Sequence, residues 1–96
     1  MTRTVQSHLR PAGGNNGTLT ISVPSNWSLQ RVTSASGDVC TVTSATAASC
    51  VVNNNGDLSE RVYEITARST DAAGGDTMHV EYRAPELMAV HDYPLD

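Results

Sequence analysis

Cys40 and Cys50 stand ten positions apart, and they are the residues whose type and spacing most directly suggest chemistry. Each lies in a short β-prone run, Val39-Cys40-Thr41-Val42-Thr43 and Ala48-Ser49-Cys50-Val51-Val52. A hairpin between the runs would set the sulfurs within disulfide distance. On the chain-entropy model a loop of this size contributes roughly 2–3 kcal/mol. The alternative is a pair of small buried thiols kept reduced in a cytosol. No CxxC and no neighbouring histidine supplies the remaining ligands of a zinc site.

The other chemistry-bearing residues do not assemble into a machine. His8, His79 and His91 have no nucleophile at a recognisable spacing, and no GxSxG, HExxH or paired-carboxylate arrangement occurs. His91-Asp92 is an acid–base dipeptide without anything to preorganise it. Asp38, Asp57, Asp71 and Asp76 fall in turns where a calcium ion could lodge, but Asp and Asn are also the ordinary residues of tight turns, and no EF-hand pattern is present. The expectation is therefore a non-enzymatic chain with no cofactor, no metal and no small-molecule substrate.

Composition narrows the partners. The net charge is −4, and the basic residues Arg3, Arg10, Arg31, Arg61, Arg68 and Arg83 are scattered, which opposes nucleic acid as the partner. No stretch reaches the ~20 apolar residues of a membrane-spanning helix, so no membrane partner is expected. The amino-terminal segment lacks the apolar centre of a secretory signal. The chain is then either a domain of a longer secreted protein or a complete small protein made in a cytoplasm, and the second fits the sequence better.

Hydrophobic patterning supplies the elements. Leu19, Ile21 and Val23 alternate with polar residues, as do Tyr63, Ile65 and Ala67, and then Met78, Val80 and Tyr82. A run from Trp27 to Ala35 turns Trp27, Leu29 and Val32 inward, with a bulge between them. Ser36-Gly37-Asp38, Asn53 to Asp57 and Asp71 to Asp76 read as turns, the last as a hairpin loop. With aromatics at only 4% and no Phe, the core must rest on a few anchors: Trp27, Tyr63, Met78, Val80 and Tyr82. Turns every eight to twelve residues indicate a single all-β sandwich of about six to seven antiparallel strands over residues 18–83. Residues 1–17 and 84–96 read as extended terminal arms. Leu87, Met88, Val90, Tyr93 and Leu95 make the second arm too apolar for a solvated tail. It either folds back on its own domain or docks on a neighbouring subunit.

From Thr18 to Arg83 the layout resembles immunoglobulin-like repeat domains of bacterial surface proteins. The residues that carry the resemblance are Val23-Pro24-Ser25-Asn26-Trp27, Cys40 to Cys50, Val62 to Ala67 and Met78 to Tyr82. It is similar also to the immunoglobulin-like sandwiches of tailed bacteriophages, found as head decoration proteins and in tails. The chain departs from antibody-type domains, whose bridging cysteines lie much farther apart. Having no Lys, it cannot form the Lys–Asn crosslink of many Gram-positive adhesin domains. The resemblance implies a virion structural protein, an accessory or decoration subunit of a capsid or tail that binds neighbouring subunits or copies of itself through its arms. The alternative is an adhesion or scaffold module of a secreted bacterial surface protein, located outside the cell.

Overall fold

Alternation of apolar and polar residues at a period of two sets the architecture. A computed structural model describes residues 1–11, 16–53, 59–72 and 74–95. Its strands are β1 (Thr2–Leu9), β2 (Gly17–Ser22), β3 (Ser28–Ser34), β4 (Val39–Val42), β5 (Ala47–Val52), β6 (Arg61–Arg68), β7 (Thr77–Ala84) and β8 (Leu87–Pro94). They form a three-stranded sheet, β1-β6-β3, and a five-stranded sheet, β4-β5-β2-β7-β8, with every pair antiparallel. The protein is an all-β sandwich, with no helix among the described residues.

The core lies between the sheets where the alternation is cleanest. Tyr63, Ile65 and Ala67 of β6 and Met78, Val80 and Tyr82 of β7 are buried, together with Trp27 just before β3. A bulge at Gln30 shifts the β3–β6 register between Leu29 and Arg31, which lets Leu29 and Val32 both turn inward. Gly17 is required where it stands. A Cβ there would lie 2.5 Å from the outer ring atoms of Tyr82, whose ring covers the start of β2.

The terminal segments correct the reading of extended arms. Thr2–Leu9 pairs with the whole of β6, and Leu87–Pro94 pairs with the whole of β7, so the described residues form eight strands. Pro85 does not end pairing. It occupies, with Glu86, a two-residue turn between the paired residues Ala84 and Leu87, a position where its fixed φ is tolerated and no ladder N–H is lost. The segment 71–76 is not a hairpin loop, because β6 and β7 belong to different sheets and the chain crosses between them there. Most of the expected turn at 53–57 lies outside the described residues.

Candidate protein-binding edge

Two buried polar clusters hold the sheets in place, and both consume residues that could otherwise do chemistry. Arg61, at a core position of β6, donates from Nη1 to both oxygens of Asp38 at 3.1 Å and from Nη2 to the Asn53 carbonyl at 2.9 Å. Tyr63 Oη donates to Asp38 Oδ2 at 2.7 Å. Burial chiefly, and then that bond to the carboxylate, push the Tyr63 hydroxyl pKa well above the tyrosine range. Towards the other end, Trp27 Nε1 and Asn26 Nδ2 donate to Asp76 Oδ2 at 2.8 and 2.9 Å, and Ser69 Oγ donates to the Asn26 carbonyl. The Asp38 side chain is 4% exposed and bonded to Arg61 and Tyr63, so it is not open to solvent as a base would require. The described residues hold no group of three or more His, Cys, Asp or Glu placed to bind a metal.

Cys40 and Cys50 face each other across β4 and β5 and form a disulfide, with Cα atoms 4.0 Å apart. Thr43 N–H donates to the Ala47 carbonyl in the adjoining turn. That parity makes Cys40/Cys50 a non-hydrogen-bonded pair, the closer kind, in which side chains meet most readily. His91 and Asp92, adjacent in β8, necessarily point to opposite faces. His91 stacks on Tyr93, with ring centroids 5.9 Å apart, while Asp92 Oδ1 lies 2.7 Å from His79 Nδ1 on the outer face.

The apolar residues of 87–95 divide into two sets. Leu95 is fully buried, and Tyr93 is half-buried, its hydroxyl 2.9 Å from Ser7 Oγ across the seam between β1 and β8. Leu87 and Ala89 pack against the core and line a cavity of about 230 Å³, with Leu9, Leu19, Val80 and Tyr82. The Tyr82 hydroxyl is buried without a hydrogen-bond partner among the described residues. Burial first, and the nearby Glu86 carboxylate second, raise its pKa. Met88 and Val90 instead point outward, 62% and 44% exposed.

The register identifies which backbone groups are free. Leu95 N–H donates to the Asp76 carbonyl, and the β7–β8 register then makes Met78/Tyr93, Val80/His91, Tyr82/Ala89 and Ala84/Leu87 the hydrogen-bonded pairs. Met88, Val90 and Asp92 therefore aim their N–H and C=O groups away from β7, along an edge that no other strand among the described residues covers. The other edges are managed differently. β3 is bulged, β4 has four residues, and β1 carries Arg3 and His8. The outer face of the five-stranded sheet also bears an exposed cross-strand pair at its opposite margin, Val39 and Val51.

Fold and edge together define a disulfide-stapled β sandwich whose edge strand β8 is long, open and partly apolar. Comparison with protein-family models, curated proteins and solved structures finds no match to this chain.

Proposed function

We propose that the chain is a non-enzymatic structural subunit that binds neighbouring protein subunits, and that its setting is a virion, as an accessory or decoration protein of a phage capsid or tail. The observation that carries the binding role is β8: an eight-residue edge with free backbone groups at Met88, Val90 and Asp92 and two exposed apolar side chains. Such an edge is a template for strand addition. The cluster around Asp38 is closed into the fold, and Asp76 is taken up by Trp27 and Asn26, which favours a structural role over catalysis. Connectivity supports the immunoglobulin-like reading. In chain order, β1-β6-β3 and β2-β7-β8 follow the B-E-D and C-F-G arrangement of that sandwich, with the β4–β5 hairpin added beside β2. The virion setting rests on the resemblance to phage decoration and tail domains.

Co-sedimentation of the purified chain with particles of the phage that encodes it tests the proposal. The chain should pellet with particles. A chain that stays in the supernatant with particles present overturns the reading.

The Cys40–Cys50 disulfide favours a second reading, an adhesion or scaffold module of a secreted bacterial surface protein, since disulfides persist in oxidising compartments. Recovery of the chain from the cell surface of its source, oxidised and within a longer polypeptide, would select it.

A further inference from the structure

We propose that the occupant of the β8 edge is β8 of a second copy of this chain, paired antiparallel about a two-fold axis at Val90. The inference rests on the reading of β8 as the binding edge. Its basis is the register of free groups.

In an antiparallel pair the outward-facing residues of one strand must meet outward-facing residues of the other. For β8 these are Met88, Val90 and Asp92; Pro94 has no N–H, and its carbonyl already accepts from Arg3 Nε at 3.4 Å. Centring the two-fold on Val90 sets Val90 against Val90 and Met88 against Asp92 twice, giving about six hydrogen bonds between the strands. The neighbouring registers are worse. Sliding one way opposes Glu86 to Asp92, carboxylate against carboxylate. Sliding the other way sets Met88 against Pro94, which has no N–H, and a further step puts Asp92 against Asp92. Like charges directly opposite are destabilising.

Side chains agree with the backbone. On the outer face, Val90 meets Val90 at the centre, flanked by Glu81 of each copy. Each Asp92 keeps its own His79 on one side and meets Met88 of the second copy on the other, with Arg83 of that copy beyond. No like charges become neighbours. On the inner face, Ala89 lies opposite His91 of the second copy, beside the apolar cavity between β1 and β8. The odd strand count argues for this isologous arrangement. With five antiparallel strands, β4 and β8 run in the same direction. A head-to-tail contact that keeps both sandwiches on one side of the joined sheet would therefore need a parallel β8–β4 pair, and β4, with four residues, offers few free groups.

Sedimentation velocity of the full chain across concentration should show a species of twice 10.2 kDa. Val90→Lys, which places two ammonium groups face to face, should weaken self-association at least tenfold without moving the urea midpoint of unfolding. Val90→Cys should crosslink to a dimer on mild oxidation, because Cα atoms of a hydrogen-bonded pair lie about 5.5 Å apart. Val39→Cys, more exposed but on the opposite margin, should not. A chain that is monomeric throughout, or one crosslinked equally through Val39→Cys, overturns the inference. A monomer that still pellets with phage particles removes the dimer alone and leaves the proposed function standing. A dimer that binds no particle does the reverse.

Discussion

Arg61 and Asp38 meet as a buried ion pair, Nη1 lying 3.1 Å from both carboxylate oxygens, with each side chain 4% exposed. The pair ties β6 of the smaller sheet to the turn that leads into β4 of the larger one. Asp38→Ala leaves the guanidinium buried without its carboxylate and should cost about 3–5 kcal/mol. Replacing both members with apolar residues of similar size should cost much less, because the desolvation of two charges is relieved as well. Urea denaturation of the single and double variants measures the difference.

Tyr63 extends that cluster and gives it a pH signature. Its hydroxyl pKa is raised from 10.0, by burial first and then by the bond to Asp38. Between that value and the folded pKa the unfolded chain has lost the proton and the folded chain has kept it. Stability is therefore fully retained below the unfolded value and falls as pH rises above it. The slope should approach about 1.4 kcal/mol per pH unit for this group. Tyr63→Phe should flatten the alkaline decline, leaving the part due to Tyr82, whose pKa is also raised. Urea midpoints at a series of alkaline pH values test this.

Cys40 and Cys50 close a short loop at the margin of the larger sheet. Reduction should lower stability by about 2–3 kcal/mol on the loop-entropy model. The fold should persist, since only the short strand β4 depends on the bridge. Unfolding curves with and without dithiothreitol, and far-ultraviolet circular dichroism of the reduced protein, check both statements.

Leu95 is fully buried and its N–H is bonded to Asp76. Leu95→Ala should destabilise by about 2–5 kcal/mol, and removal of residues 84–96 should abolish folding by exposing β7. Thermal melts of both variants provide the measurement. An intact fold after that truncation would return the segment to the status of an accessory arm.

Legibility followed the purity of the alternation. The inward residues of β2, β6 and β7 could be read directly because polar residues separate them. β1 has no clean alternation in the sequence because Ser7 occupies one of its inward positions, and its reason, the bond to Tyr93, comes from the far end of the chain. β8 was obscured for the opposite cause: Met88 and Val90 put apolar side chains on the outer face, and so erase the period of two. That same departure leaves β8 an edge with exposed apolar side chains. The Asp38 and Asp76 clusters depend on partners 23 and 49 positions away, a relation no local pattern carries. In the sequence Arg61 is only one of six scattered arginines.

Both ends of the chain fasten to the crossover between β6 and β7. Met1 exchanges backbone bonds with Ser69, Leu95 bonds to Asp76, and Arg3 Nε reaches the Pro94 carbonyl at 3.4 Å. A longer polypeptide threaded through this sandwich would enter and leave by one doorway. It would carry the domain as a side lobe, whereas a rod of tandem beads needs its doorways at opposite ends. The same proximity makes the fold a ready subject for circular permutation, with new ends opened at the Pro85-Glu86 turn and the old ones joined by a short linker.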